Sequence, residues 1–260
     1  MSKLDTYTLA NRPSASSNAG LMIFRTDTNN FEISDGTNWQ TYISDGSFQI
    51  YPNNSYSAQF DGTDDYISVR TIAALNSSSD CTVTGWFNYD TIETVIISSG
   101  AIGSANFGIR PQSTSQLRVL SSGANTDVTL GISGGISSGT WYHFAVVISG
   151  TSLTVYINGS ASDGGSATIS GLSSGWAEDF DIGRNSPNWS TNLRYFDGKL
   201  DELAVFDSAL TSTAVSDIYN NNSYLNYQAL YRFENNFNDE GGAYNGTQSG
   251  GVSFSTDKPY

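Results

Sequence analysis

The run Tyr195-Phe-Asp-Gly-Lys-Leu-Asp-Glu-Leu-Ala-Val-Phe-Asp-Ser-Ala-Leu210 says more about the fold of this chain than any other segment. It joins an Asp-Gly turn to a largely apolar strand, and a stretch with helical spacing follows directly. Three earlier segments likewise combine short apolar strands with tight turns. They are Phe60-Asp-Gly-Thr-Asp-Asp-Tyr-Ile-Ser-Val69, Cys81-Thr-Val-Thr-Gly-Trp-Phe87, and Thr140-Trp-Tyr-His-Phe-Ala-Val-Val-Ile148, which leads into Leu153-Thr-Val-Tyr-Ile-Asn-Gly159. Together these segments predict a sandwich of short strands around one core.

In this order and at this spacing, the segments, which cover residues 60–219, resemble the LamG-like, concanavalin A-type jelly roll. The resemblance implies an all-β fold in which two antiparallel sheets form a sandwich, with one short helix. Lectins, adhesion modules, glycan hydrolases and structural spacers all use this sandwich. The resemblance alone therefore does not choose a function.

The composition narrows the classes of partner. Charged residues make up 14% of the 260 residues, aromatic residues make up 13%, and the formal net charge is -14. An acidic surface repels phosphate backbones and anionic lipids, and no stretch approaches the roughly 20 apolar residues that a membrane helix needs, so we expect neither nucleic-acid binding nor membrane insertion. The N-terminus lacks the apolar core of a signal peptide, so we expect no cleaved export signal. The single cysteine, Cys81, allows no intrachain disulfide and is expected to fill the core.

The short apolar runs and turns within residues 1–47 predict a small β-meander. It precedes a jelly roll that we expect at residues 48–260. We expect the strands of the meander at residues 21–24, 31–34 and 38–43. Strands this short are marginally stable alone. The meander should therefore need a partner surface, for attachment or for oligomerisation.

Part of the meander, residues 11–39, resembles a repeat found in tail-fibre and other virion proteins of bacteriophages. The shared features are Arg12-Pro13, a polar spacer, Gly-x-Met-Ile-Phe-x-Thr-Asp-Thr at residues 20–28, and a Phe-Glu hairpin that closes on Asp-Gly-x-x-Trp39. The alternative is an ordinary hairpin in which turn chemistry selects the same residues. The number of coinciding positions favours the virion hypothesis.

One helix is expected at residues 211–220. Thr211 is a good N-cap, and an apolar stripe recurs at helical spacing. The residues of this stripe are Ala214, Val215, Ile218 and Tyr219. The stripe should lie on the sandwich.

The tail contains a segment, residues 229–247, that resembles the opening segment of many LamG-like domains, although here it stands at the end. It either begins a second domain or folds back as the last strands of the same sandwich. Residues 224–260 are too few for a second sandwich. We therefore expect them to fold back onto the jelly roll.

No catalytic arrangement is evident. Glycan hydrolases on this fold present two carboxylates from one strand, and the nearest match, Glu178-Asp-Phe-Asp181, lacks the alternating pair. Asp201 and Glu202 are adjacent, so a regular strand would point them to opposite faces. The only histidine, His143, lies in a predicted strand and cannot form a Ser-His-Asp triad alone. We predict that the protein is not an enzyme.

Two acidic clusters offer the oxygen ligands that calcium prefers. The first consists of Asp61, Asp64 and Asp65. The second lies in the tail and includes Asn235 and Asp239, with Asn238 and Glu240 beside them. Asp-Gly and Asn-Asp runs also form turns without any metal, so both interpretations stay open.

The longest polar loop with an aromatic residue runs from Arg184 to Arg194. Trp189 could stack on a sugar ring while Asn188, Asn192 and Arg184 bond to its hydroxyls. These four residues are the predicted carbohydrate site. The alternative is that Trp189 packs onto its own sandwich or onto a neighbouring subunit.

These features lead to one hypothesis and two alternatives. The hypothesis is a bacteriophage virion surface protein of the fibre or adhesin type, made in the host cytoplasm, whose jelly roll binds host-surface glycan without catalysis. Its partners would be other virion proteins and copies of itself. The first alternative is a capsid decoration or spacer protein that binds virion proteins and no sugar, and the second is a glycan hydrolase.

Overall fold

The computed structural model describes most of the chain. The chain consists of two compact units, with the boundary between residues 53 and 54. The units are Met1–Asn53 and Asn54–Tyr260. The described residues are 6–8, 11–19, 21–25, 30–34, 36–37, 39–42, 48–49, 54–99, 107–121, 124–172, 179–185 and 193–260.

The first unit contains a single five-stranded sheet. Its strands lie side by side in chain order, with β1 parallel to β2 and the other pairs antiparallel. They are β1 (Thr6–Tyr7), β2 (Met22–Arg25), β3 (Asn30–Ser34), β4 (Trp39–Tyr42) and β5 (Phe48–Gln49). Strands β2 to β4 coincide with the predicted meander, and β1 and β5 extend the sheet at both edges.

The two faces of the β2–β3 hairpin differ. On one face, Ile23 is buried opposite Glu32, whose carboxylate accepts a hydrogen bond of 2.8 Å from Arg12. On the other face, Phe31 is 42% exposed, although its ring centroid lies 5.1 Å from that of Phe24. Met22 on the same face is 43% exposed. The described part of this unit therefore presents an apolar surface, which we call the Phe31 face (Met22, Phe24, Phe31 and Ile33).

The second unit is a sandwich of two antiparallel sheets, as predicted. The seven-stranded sheet has the order β12-β11-β10-β9-β16-β7-β19. Its strands are β7 (Tyr66–Val69), β9 (Ile97–Ser99), β10 (Phe107–Ser113), β11 (Gln116–Ser121), β12 (Ala124–Thr129), β16 (Phe180–Ile182) and β19 (Thr247–Ser249).

The eight-stranded sheet has the order β15-β14-β13-β8-β17-β6-β20, and β18 pairs with β17 beside this path. Its strands are β6 (Ser57–Asp61), β8 (Asp80–Tyr89), β13 (Tyr142–Ser149), β14 (Ser152–Ile157), β15 (Ser160–Thr168), β17 (Asp197–Phe206), β18 (Ala229–Tyr231) and β20 (Ser253–Ser255). Every described strand pair of this unit is antiparallel.

The core lies between the two sheets. Alternate residues of the central strands, such as Val83, Phe87 and Phe144, point into it and are fully buried. Cys81 is buried in the same core, as expected. Removing such apolar surface from water stabilises the fold by roughly 25 cal/mol per Å².

The predicted helix is present as α1 (Ser212–Asn221). The Thr211 hydroxyl accepts a hydrogen bond of 3.2 Å from the amide of Ala214, and Asn222 ends the helix with a left-handed φ of 53°. Val215 is buried against Ala145, Val147 and Tyr156 on the outer face of the eight-stranded sheet. Among the described residues, no helix is long and apolar enough to span a membrane.

The C-terminal segment supplies strands to both sheets. β18 pairs with β17, β19 pairs with β7, and β20 pairs with β6. The tail thus lies within the sandwich, at the edges next to β6 and β7.

Candidate functional site

Most of the predicted carbohydrate loop falls outside the described residues. Asn188, Trp189 and Asn192 all lie in the undescribed segment 186–192. Arg184 is described, and its guanidinium carbon lies 3.3 Å from the centroid of the Tyr66 ring. Its Nε donates a hydrogen bond of 3.1 Å to Asp181, and its side chain is 13% exposed. Arg184 therefore packs against Tyr66 and Asp181 on the outer face of the seven-stranded sheet, and little of its side chain is available to a ligand.

A cleft lies where this loop rejoins the described chain, and we call it the Tyr195 cleft. Its volume is about 540 Å³. Three segments that are distant in sequence meet there: the turn after β6, the turn between β8 and β9, and the residues before β17. The lining residues are Gly62, Thr63, Ile92, Glu93, Thr94, Leu193, Arg194 and Tyr195.

An ion pair forms the polar part of the cleft. Arg194 Nη1 donates a hydrogen bond of 2.9 Å to Glu93 Oε2, and Gln112 Nε2 donates one of 3.0 Å to Glu93 Oε1. The hydrogen bond from Arg194 lowers the pKa of Glu93, so the Glu93 carboxylate is charged near neutral pH. The side chain of Arg194 remains 36% exposed and that of Glu93 remains 46% exposed. The pair can therefore offer both donors and acceptors to a ligand.

The turn between β8 and β9 forms one wall of the cleft. Thr91 Oγ1 donates a hydrogen bond of 2.5 Å to Asp197, and Thr94 Oγ1 donates one of 2.8 Å to the Thr91 carbonyl. These bonds hold Ile92 at the surface, where it is 37% exposed. A second cleft of about 430 Å³ lies on the other side of Ile92, between this turn and Ser137.

The acidic turn between β6 and β7 adjoins the cleft through Gly62 and Thr63. Asp61 Oδ1 accepts a hydrogen bond of 2.8 Å from the Thr63 amide, and Asp65 Oδ2 accepts one of 3.0 Å from the Asp61 amide. Carboxylate oxygens of Asp61, Asp64 and Asp65 all lie within 4.8 Å of one another. The structure therefore brings together the first predicted calcium cluster.

In the second predicted cluster, backbone amides already bind the carboxylate oxygens of Asp239. Asp239 is buried, and its carboxylate accepts hydrogen bonds of 2.9 to 3.2 Å from four backbone amides. Those amides belong to Leu230, Gly241, Ala243 and Tyr244. Asn235 is exposed in a left-handed turn with φ 57°. Asp239 therefore organises the tail, and its oxygens face N–H groups that a cation would have to displace.

Asp201 and Glu202 do not point to opposite faces, so the prediction from regular alternation is wrong. The pairing of β17 with β8 shifts after Asp201, and Glu202 adopts a φ of 49° in this bulge. Leu200 and Leu203 on either side both lie in the core between the sheets. The bulge turns both acids to the outer face of the sheet.

Burial keeps this acidic pair away from any substrate. Both side chains are 0% exposed, and burial raises the pKa of both carboxyl groups. Asn54 donates a hydrogen bond of 2.8 Å to Asp201, while Arg232 and the Tyr260 hydroxyl contact Glu202. A glycosidic bond cannot reach either group in this arrangement.

His143 is a structural residue. It is 0% exposed, and its Nε2 lies 2.8 Å from the Thr84 hydroxyl. Because that hydroxyl donates its single proton to the Phe144 carbonyl, Nε2 carries the proton in this contact. Burial lowers the pKa of His143 to about 3, so the ring is neutral at physiological pH.

Sequence reasoning missed the Tyr195 cleft. Glu93 and Arg194 are 101 positions apart, and neither lies in a recognisable motif. The one available signal was Tyr195, an aromatic residue that lies two positions before β17 and follows the polar loop directly.

Comparisons with known proteins agree with this fold. The family model of the concanavalin A-like lectin/glucanases superfamily matches residues 61–216. A candidate carbohydrate-binding protein from Bacteroides ovatus has a TM-score of 0.57 and 19% sequence identity, with 87% of this chain and 67% of that chain covered. The heptameric SAP-like pentraxin from Limulus polyphemus has a TM-score of 0.56 and 19% identity, with 79% and 96% covered. A search of curated proteins finds no match.

The structural matches have low sequence identity and support the fold alone. The family match covers more than half of the chain and includes β7, β8, β13, β14 and β17, the strands of the predicted jelly-roll segments. This chain belongs to the concanavalin A-like lectin/glucanases superfamily.

Proposed function

We propose that the jelly roll binds glycan without catalysis, and that the Tyr195 cleft is its binding site. The observation that carries this proposal is the chemistry of the cleft. Arg194 and Glu93 supply charged donors and acceptors, Thr63 and Thr94 supply hydroxyls, and Tyr195 supplies an aromatic ring. Sugar recognition needs this combination of directional polar groups and a flat apolar surface.

The size of the cleft and the fold agree with this proposal. A volume of about 540 Å³ is within the usual range of small-ligand sites. A candidate carbohydrate-binding protein shares the sandwich, although shared architecture alone does not assign a ligand.

The carboxylates support a role in binding rather than hydrolysis. Among the described residues that line the cleft, Glu93 alone has a carboxylate, and that carboxylate is paired with Arg194. Glycoside hydrolysis ordinarily requires two carboxyl groups beside the scissile bond. The buried pair Asp201 and Glu202 cannot serve this purpose because neither side chain is accessible.

The proposed biological setting is the surface of a bacteriophage virion, in a fibre or adhesin. This part rests on the resemblance of residues 11–39 to virion repeats. It is also supported by the exposed Phe31 face, since large apolar patches usually mark contact surfaces. The partners would be copies of this chain and other virion proteins, with host-surface glycan bound by the jelly roll.

The Phe31 face also favours a second candidate, a capsid decoration or spacer protein that binds no sugar. Labelling whole particles with antibodies against this protein separates the two. Labelling at the tail tip supports the adhesin, whereas even labelling over the head supports decoration.

Glycan-array and host-cell binding assays test the cleft. Arg194→Ala should weaken binding at least about tenfold, because it removes charged hydrogen bonds. Trp189→Ala should weaken binding roughly five- to tenfold, since aromatic stacking contributes about 1 kcal/mol. The matched control is Arg118→Ala, which removes another exposed ion pair, the one with Asp127 on β11 and β12.

Three results would contradict the proposal. No glycan binding by the wild type would favour the decoration hypothesis. Equal losses in Arg194→Ala and Arg118→Ala would indicate a general charge effect. Normal binding by Arg194→Ala and Tyr195→Ala together would place the site elsewhere.

A further inference from the structure

We propose that Arg110, which lies beside the Tyr195 cleft, binds the carboxylate of an acidic saccharide. The inference rests on the proposed glycan binding and names the class of glycan. Arg110 on β10 is directly opposite Arg118 on β11. Ile109 and Val119, the adjacent pair, point into the core, so both arginines extend from the outer face of the seven-stranded sheet.

Arg110 lacks the partner that Arg118 has. Arg118 donates hydrogen bonds of 2.5 and 2.7 Å from Nε and Nη2 to the two carboxylate oxygens of Asp127 on β12. Within the described part of the chain, Arg110 forms no ion pair, and its buried Nε has no hydrogen-bond partner. A donor without an acceptor is costly, and a carboxylate on a ligand would remove that cost.

Gln112 connects Arg110 to the cleft. It lies two positions after Arg110 on β10, and its Nε2 donates a hydrogen bond of 3.0 Å to Glu93, the partner of Arg194. The buried Oε1 of Gln112 has no partner among the described residues. Next to the ion pair of the cleft, β10 therefore carries an unused donor on one side chain and an unused acceptor on the next polar one. A saccharide has both a carboxylate and hydroxyls to match them.

The local charge favours an anion. Three guanidiniums, those of Arg110, Arg118 and Arg194, lie near two carboxylates, those of Glu93 and Asp127. Burial lowers the pKa of Arg110, and the charges of Arg194 and Arg118 lower it further. Arginine nevertheless stays protonated in proteins, so one positive charge is left without a counterpart. Like charges directly opposite each other in a sheet repel, and a bound carboxylate would relieve this repulsion.

The acidity of the whole chain has little effect at this position. The formal net charge is -14. Physiological salt, however, largely screens exposed charges that lie more than about 8 Å apart. The groups that act on a ligand at Arg110 are therefore its neighbours on the sheet, where positive charge is in excess.

The surplus of one charge favours a carboxylate over a phosphate. A carboxylate carries one negative charge, and its two oxygens fit the planar edge of a guanidinium, as Asp127 shows with Arg118. A phosphate monoester carries about two charges at neutral pH and would leave one uncompensated. The matching ligands are saccharides that contain uronate or sialate.

A glycan array tests the inference with the full chain. The array presents oligosaccharides that contain uronate or sialate, each beside its methyl ester, which keeps the ring and the hydroxyls but removes the charge. The wild type should bind the acidic member of at least one pair at least about tenfold more strongly than the ester, because only the acid forms charged hydrogen bonds.

Three variants locate the effect. Arg110→Gln should bind acid and ester alike, at the level of the wild type with the ester, and Arg110→Lys should keep part of the preference. The matched control is Arg70→Gln after β7, an exposed arginine whose loss should leave the preference unchanged. Thermal melts verify the fold, and Arg110→Gln should melt no lower than the wild type because repulsion from Arg118 is removed.

The pattern of binding separates this inference from the proposed function. Equal binding of acids and esters by the wild type would overturn the role of Arg110 while leaving glycan binding intact. No binding of any saccharide, acidic or neutral, would overturn both. A preference for acids that persists in Arg110→Gln would place the anion elsewhere, and stronger binding of phosphorylated than of carboxylated saccharides would contradict the assignment to a carboxylate.

Discussion

The guanidinium of Arg232 lies 2.7 Å from the carboxylate of Glu202, and their side chains are only 2% and 0% exposed. Arg232 follows β18 in the tail, whereas Glu202 lies in the bulge of β17. The ion pair therefore connects the tail to β17, a central strand of the eight-stranded sheet. Asp201 beside it is also fully buried and accepts a hydrogen bond from Asn54, so this region holds two buried carboxylates and one buried guanidinium. This imbalance makes the stability of the jelly roll depend on pH.

We expect Glu202 to make the protein less stable as pH rises from about 4.5 to 7. Burial raises the pKa of Glu202 from 4.5 to about 7, although Arg232 opposes this shift. The folded state therefore binds more protons than the unfolded state in this window, and its stability falls by up to about 3 kcal/mol across it. His143 has the opposite effect on the free energy of unfolding. Because burial lowers its pKa from 6.5 to about 3, the stability of the protein falls as pH drops below 6.5.

Glu202→Gln separates these two effects. Denaturant unfolding at pH 5 and pH 8 should show that the wild type loses more stability than Glu202→Gln over this interval. Asp163→Asn, four strands away on β15, should keep the wild-type difference. Equal pH dependence in the wild type and Glu202→Gln would contradict this assignment.

Arg232→Met should destabilise the protein by about 3 to 5 kcal/mol at pH 8, because it leaves Glu202 charged and buried without its partner. The loss should be smaller at pH 5, where Glu202 is neutral. Arg118→Met is the control, since its ion pair with Asp127 is exposed and should contribute about 0 to 1 kcal/mol. Denaturant melts at both pH values measure the effect, and a loss independent of pH would indicate packing alone.

Leu230→Ala should destabilise the protein by about 2 to 5 kcal/mol, because Leu230 in β18 is 1% exposed. Leu225→Ala is a matched control in the same tail, where the side chain is 43% exposed and the change should be within about 0.5 kcal/mol. Thermal melts compare the two. Similar melting temperatures would show that the tail contributes little to the sandwich.

Phe31→Ser should weaken self-association of the full-length protein, because it places a polar side chain in the centre of the Phe31 face. Light scattering at micromolar concentration measures this, and Leu225→Ser controls for loss of an exposed apolar side chain elsewhere. A monomeric wild type would show that this face does not join copies of the chain. Association unchanged by Phe31→Ser would place the contact elsewhere.

Local patterns predicted the strands and the helix because these depend on neighbours in sequence. The nearly continuous apolar run of β13 matches a strand that is buried on both faces, and the hydroxyl of Thr211 caps α1 as expected. The orientation of Asp201 and Glu202 could not be predicted in this way. A bulge depends on how β17 pairs with β8, which is a relationship between strands.

The sequence by itself determined the short strands, their turns and the one short helix, because alternation, turn residues and caps act over a few positions, and its resemblance to LamG-like domains implied the two-sheet antiparallel jelly roll. It also placed Asp61, Asp64 and Asp65 together, since they are four positions apart at most. Only the tertiary structure decided which distant groups meet. Glu93 reaches Arg194 across 101 positions, and Arg232 reaches Glu202 through the fold of the tail. Such contacts depend on how the strands are ordered in the two sheets, and no local pattern encodes that order.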